Sequence, residues 1–185
     1  EVATETLVER ARDQGLGTGV VSTAYLSHAT PAAFTAHHRT RHEPEAIAAD
    51  QAKKSGADVM LGGGFQHFSA SLITGMEAFG YRIVKTASEL EAIDPADGGK
   101  VIGLFADEHM DYVSERGADS TQPTLSQMSL LGLDLLDAQE RGFFMMIEGA
   151  RIDMASHGND LANTIEETLA FDDAVRAVHE WAEGK

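Results

Sequence analysis

The feature that most limits what this chain can fold into is the alternation of short apolar runs with stretches of helical period. Residues 17–23, 57–61, 81–84, 100–105 and 143–147 are apolar runs of strand length. Residues 5–14, 43–54, 73–79, 89–93, 125–140 and 161–183 instead read as helices, with apolar residues three and four apart. Another helix opens at Pro31, whose fixed φ suits a first helical position. Strands alternating with helices predict an α/β fold, a largely parallel sheet with flanking helices. Residues 106–123 are polar and irregular, and no internal repeat or low-complexity linker interrupts the pattern. At 185 residues the chain reads as one domain, 1–185.

Composition excludes several classes of function. Fourteen Lys plus Arg against thirty Asp plus Glu leave a formal net charge of −16. Such a surface repels nucleic acid and anionic membranes, so neither is expected as a partner. An anionic substrate requires metals or arginines to reverse the field locally. No apolar run reaches the roughly 18 residues that a membrane helix needs. The first residues, Glu1 to Thr6, read as a helix start without signal-peptide character. With no cysteine in the chain, thiol catalysis and cysteine zinc sites are excluded, so any metal must take His, carboxylate or hydroxyl ligands.

Three segments carry residues suited to chemistry. In the first, the apolar run Phe143-Phe144-Met145-Met146-Ile147 delivers Glu148 to a strand end, followed by Asp153 and His157. Oxygen ligands with one imidazole, emerging where a strand ends, suit a metal site in an open α/β sheet. If 153–157 is helical, its i,i+4 spacing puts Asp153 and His157 on one face. A strand-end carboxylate, a helix-terminal Asp and a solvated His give the same pattern, so both readings stand.

The second segment is Ser27-His28-Ala29-Thr30-Pro31. Here the Thr30 hydroxyl is either a hard-metal ligand, with His28 orienting a metal-bound water, or the cap of the helix that Pro31 opens. The third, His37-His38-Arg39-Thr40-Arg41-His42, is the one basic stretch of the chain. It is either a phosphate clamp through the planar arginine fork or a solvated helix end. Gly62-Gly63-Gly64 lacks the Lys-Ser/Thr of a P-loop and reads as a tight turn. Asp107-Glu108-His109-Met110-Asp111 reads as a solvated loop, with cation binding as the alternative.

Taken in order, these segments resemble an alkaline phosphatase. Thr23-Ala24, then His28-Ala29-Thr30-Pro31-Ala32-Ala33 with Ala36-His37 and Arg41, resembles the family's T-A…H/D-A-T-P-A-A…A-H…R signature. Val59-Met60-Leu61-Gly62-Gly63-Gly64 resembles its V-x-L-G-G-G turn, and 122–128 the segment opening its later long helix. Phe143-Phe144 through Glu148-Gly149, Ile152-Asp153 and His157 resembles F-F-x-x-V-E-G-x-x-I-D-x-x-x-H. Glu167-Thr168-Leu169-Ala170-Phe171-Asp172 resembles the helix beyond it. The likeness extends over nearly the whole chain.

The resemblance implies a three-layer sandwich and hydrolysis of phosphate monoesters through a phosphoserine intermediate. By position, it implies magnesium on Thr30 and Glu148, and one of two zinc ions on Asp153 and His157. It also implies that Arg41 clamps the substrate phosphate, with His28 near the magnesium-bound water. Met154 stands where relatives commonly carry His, Lys or Trp. Such chemistry has a very high uncatalysed barrier, lowered when metals stabilise attacking and leaving oxygens and an arginine meets the equatorial ones. A homodimer and a periplasmic or secreted location are implied by the family alone.

The family's D-S-A nucleophile motif and the Asp-His pair of its second zinc have no match here, and the sandwich is expected to be incomplete. The chain therefore reads as the middle portion of an alkaline phosphatase catalytic domain, inactive by itself. Two other readings are a related metal-dependent hydrolase, of sulfatase or phosphomutase type, and a non-catalytic metal-binding fragment.

Overall fold

The computed structural model describes residues 3–139 and 141–185. Five apolar segments form strands: β1 (Gly17–Tyr25), β2 (Val59–Gly63), β3 (Tyr81–Val84), β4 (Lys100–Leu104) and β5 (Phe143–Glu148). They make one sheet in the order β3-β4-β2-β1-β5, with every pairing parallel. The α/β expectation is borne out. The first two strands run two residues further than their apolar pattern suggested, because Gly62 and Gly63 continue β2 instead of turning. A side chain on Gly62 would meet the carbonyl oxygens of Ser22 and Ala24 at 2.9 Å, so small residues are what let these strands approach. The turn falls on Gly64, at φ +97°.

Eight helices connect and cover the sheet: α1 (Leu7–Asp13), α2 (Ala29–Thr35), α3 (Pro44–Asp50), α4 (Ala70–Ala78), α5 (Ala87–Glu91), α6 (Leu125–Asp137), α7 (Arg151–His157) and α8 (Leu161–Glu183). The expected helix at 43–54 divides after Asp50, where a π-helical turn (Gln51–Ser55) lets buried Gln51 donate to the Leu26 carbonyl at 2.7 Å. The helix expected to reach Glu140 closes at Asp137; Glu140 itself, like Glu1 and Val2, lies outside the described residues. Thr6 and Thr124 start α1 and α6 with reciprocal caps from Glu9 and Gln127.

Strand alternation divides the core into two. Val21, Val59, Leu61 and Val101 face Leu90 of α5, Met128 and Leu136 of α6, and Ala174 of α8. Val20, Met60 and Ile102 face Val8 of α1, Ala48 of α3 and Met76 of α4. Helices on both faces of a parallel sheet make the three-layer arrangement. The strand order runs outward from β1 and β2, so the loops after β1, β2, β4 and β5 gather along one edge, where open parallel sheets place their sites.

Candidate active site

Glu148 ends β5 beside Ser22 of β1, its partner in the parallel register. The fully buried Ser22 hydroxyl donates to Glu148 Oε2 at 2.7 Å and accepts the Ala24 N–H at 3.0 Å. Donating and accepting at once, it fixes the carboxylate's orientation. Ser22 was not singled out from sequence, although a hydroxyl pair, Ser22-Thr23, inside an apolar strand was the available signal. Thr23 serves the same edge: its Oγ1 accepts the Arg151 N–H at 3.2 Å and anchors the start of α7.

Asp153 and His157 lie on α7 as the spacing predicts, on one face, with His157 Nε2 3.6 Å from Asp153 Oδ1. Their side chains are 79% and 82% exposed, so both are open to an incoming ligand. Met154, between them, accepts an Arg151 Nη1 hydrogen bond at its sulfur, 3.4 Å away. The Arg151 guanidinium also lies over the Tyr112 ring, 3.6 Å from its centroid.

The entry to α2 differs from the sequence expectation. The helix starts at Ala29, so His28 holds the cap position and Pro31 falls on the third residue instead of the first. Proline is tolerated there because the first-turn amides have no intrahelical partner. The capping alternative for Thr30 is thereby overturned, since its hydroxyl makes no cap bond. The basic stretch 37–42 is not a helix end either. It is a coil between α2 and α3, in which His37 contacts Glu9 at 2.8 Å and its N–H donates to Asp50 at 2.7 Å.

Arg41 leaves that coil toward α2, where its Nη2 donates to His28 Nε2 at 3.0 Å. An arginine only donates, so this nitrogen of His28 carries a lone pair and the ring proton sits on Nδ1. That Nδ1 is buried and has no hydrogen-bond partner among the described residues. Burial first, and then the Arg41 charge, hold the His28 pKa below the usual histidine value, against the opposing pull of Glu148 and Asp153. His28 is thus the point at which Arg41 and the two carboxylates, over a hundred residues away in sequence, meet.

The loop after β4 is not simply solvated, as its polarity suggested. Met110 is fully buried, and His109 packs against Tyr25 and His28 with ring centroids 4.5 and 5.2 Å away. His67, after β2, meets the other side of Tyr25 at 4.9 Å and is only 6% exposed. Burial, then the neighbouring His28, Arg151 and His67, push the His109 pKa down to about 4. Sequence reading missed this cluster because its members come from three separate loops.

A hydroxyl and a carboxylate suit magnesium, and a carboxylate with an imidazole suits zinc. The donor chemistry therefore fits these ions, and Glu148 is already oriented for one. Among the described residues, however, no three His, Asp or Glu side chains are close enough to form a complete metal cage. Any ion held here would need further ligands or a rearrangement of these.

A family model described as alkaline phosphatase matches residues 1–185. The chain is 36% identical to alkaline phosphatase 4 of Bacillus subtilis (strain 168), over 96% of this chain and 39% of that protein. It is 34% identical to streptomycin-6-phosphate phosphatase of Streptomyces griseus, over 96% of this chain and 51% of that one. Among solved structures, the cold-active alkaline phosphatase of a psychrophilic Shewanella superposes with a TM-score of 0.90 at 39% identity. That match covers 97% of this chain and 44% of the other. A mutant of the TAB5 alkaline phosphatase, solved with magnesium bound in its M3 site, superposes at 0.83 with 30% identity, covering 99% of this chain and 53% of that one. The chain thus spans about half or less of the length of these relatives.

Proposed function

The chain belongs to the alkaline phosphatase family, and from that premise we propose that it forms part of a site hydrolysing phosphate monoesters. Arg41 binds the phosphate group. Thr30 and Glu148 hold magnesium, Asp153 and His157 supply part of one zinc site, and His28 lies between the arginine and the carboxylates. The observation that carries the reading is His28 itself, hydrogen-bonded to Arg41 and within the electrostatic reach of Glu148 and Asp153.

When bound, the metals supply positive charge for the attacking and leaving oxygens. The chain's own residues do the rest. Ser22 keeps Glu148 turned to the sheet edge. Neutral His28 takes one Arg41 N–H and leaves the others directed outward for equatorial phosphate oxygens. The family's Asp-Ser-Ala nucleophile motif does not occur in these 185 residues. We therefore place the phosphoserine step on a serine outside this segment and expect little turnover from the segment alone. The homodimer and the periplasmic or secreted location stand as proposals on the same family basis; no described helix is long and apolar enough to cross a membrane.

The test is p-nitrophenyl phosphate turnover by the 185-residue chain in zinc and magnesium, beside calorimetric magnesium titration of the same chain and its Glu148→Gln variant. Vigorous, chelator-sensitive turnover that disappears in Glu148→Ala would overturn the partial-site reading. Equal magnesium affinity in the Glu148→Gln variant would overturn the ligand assignment.

A further inference from the structure

Arg41 sits on an exposed coil, and its hydrogen bond to His28 is its one polar contact among the described residues. Its direction is therefore only as well defined as the His28 ring. Oriented imidazoles are usually fixed by a hydrogen bond on the nitrogen opposite their ligand. His28 has none, because its Nδ1 is buried without a partner. What grips the ring is packing. Tyr25 meets it edge-on at 4.9 Å and 89°, and His109 meets it at 5.2 Å and 78°.

We propose that His109 is a positioning residue for Arg41: its ring, clamped on Tyr25, holds the His28 imidazole with Nε2 facing the guanidinium. The proposal rests on the reading of Arg41 as the phosphate-binding arginine. His109 is itself held in two ways. It lies at 31° to Tyr25, 4.5 Å away, and its Nδ1 accepts the Tyr25 backbone N–H at 3.4 Å. That acceptor role leaves the His109 ring proton on Nε2. A neutral ring here adds no charge to repel the guanidinium, consistent with its depressed pKa.

The loop after β4 thus sets the phosphate ligand without touching it. Rotating the His28 ring by half a turn about its Cβ–Cγ bond would exchange ring atoms at the Arg41 contact and remove the acceptor. Misplacing a clamp by an ångström is enough to cost about a hundredfold in a catalysed rate.

The decisive measurement is long-range ¹H–¹⁵N correlation of the histidine rings at pH 8, together with the Arg41 guanidinium signals, in the 185-residue chain. Three proteins are compared: wild type, His109→Ala and His109→Phe. Wild type should show His28 protonated on Nδ1 and a restrained Arg41. In His109→Ala, His28 should move toward a mixture of tautomers and Arg41 should sharpen to a freely rotating signal, while the amide spectrum of the sheet is kept. His109→Phe retains a ring edge and should restore most of the wild-type His28 pattern. Unchanged His28 and Arg41 signals in both variants would overturn the proposal, as would loss of the pattern in His109→Phe with the sheet intact.

The same samples titrated with inorganic phosphate in magnesium and zinc separate the two layers of inference. Phosphate binding unaffected by Arg41→Ala would remove the phosphate reading, and the ring signals would still decide the role of His109. If both hold, His109→Ala should weaken phosphate about tenfold and His109→Phe should recover most of that loss.

Discussion

Gly64 is the residue on which the aromatic cluster depends most directly, and Gly64→Ala should be costly for two separable reasons. Gly64 has φ +97°, a region in which a Cβ meets its own backbone; holding an alanine there costs about 1–2 kcal/mol. The added Cβ would also lie 2.7 Å from Tyr25 Cβ and 3.3 Å from Tyr25 Cα. Tyr25 cannot yield by rotating, because the obstruction is at the root of its side chain. Overpacking of this kind typically costs about 1–3 kcal/mol. Alanine stiffens the unfolded chain and returns about 0.4–1 kcal/mol, leaving a net loss of about 3 kcal/mol.

Two further glycines separate the contributions. Gly80 has φ +86° and open space around it, so Gly80→Ala carries the strain alone and should lose about 1 kcal/mol. Gly75, inside α4, has neither problem and should gain about 0.5–1 kcal/mol as alanine. Urea unfolding followed by circular dichroism and by the single tryptophan, Trp181, reads all three. With a slope of about 2–3 kcal/mol/M, the Gly64→Ala midpoint should fall by about 1–1.5 M. A Gly64→Ala protein no less stable than Gly80→Ala would show that the Tyr25 root is not tightly packed, and the reasoning would fail.

Three other outcomes follow from the same structure. His109 titrates at about 4 when folded and near 6.5 when unfolded, so the unfolded chain binds more protons between those values. Stability from this group is full above about pH 6.5 and lost toward pH 4. The whole shift is about 3 kcal/mol, and solvent access to the ring reduces the expected effect to about 1–2; urea midpoints should fall less on acidification in His109→Phe than in wild type. Burial alone would raise the Asp50 pKa, but hydrogen bonds from Lys54 and the His37 N–H outweigh it and the net shift is downward. Asp50→Asn should therefore cost about 1–2 kcal/mol at pH 7, a difference that closes as pH falls through the folded Asp50 value; a gap that persists in acid would refute it. Ser22→Ala removes the donor that orients Glu148, so calorimetry should show magnesium binding weakened by about tenfold or more with the fold retained, and unchanged affinity would sink that link.

Local pattern carried most of the fold. The strand β5 and helix α8 were legible because apolar period is a property of neighbouring residues. So was the shared face of Asp153 and His157, which needs only a helical turn. The start of α2 was misread because Pro31 and Thr30 satisfy a local capping rule that the chain does not use. The glycine run was misread as a turn for a similar reason: Gly62 and Gly63 are small because strands and loops press on them, a tertiary demand with no local signature. The cluster of Tyr25, His28, His67 and His109 was hidden for the same cause. Its members follow three different strands, and they meet only because the order β3-β4-β2-β1-β5 puts those strand ends side by side.

The choice of a histidine as the partner of Arg41 has an electrostatic consequence that composition alone conceals. With thirty acidic residues in the chain, a carboxylate partner would be the commonest way to hold an arginine. It would also cancel the charge that a phosphate has to meet. A neutral imidazole orients the guanidinium through one of its five N–H donors and leaves the charge intact. The remaining donors stay available for the fork-like contact that distinguishes arginine from lysine at a tetrahedral anion. Burial and the arginine itself keep His28 in that neutral form, so the same contact that directs Arg41 also protects the acceptor it needs. In a protein with net charge −16, an uncompensated and pre-aimed guanidinium at the sheet edge is what lets an anionic ester approach at all.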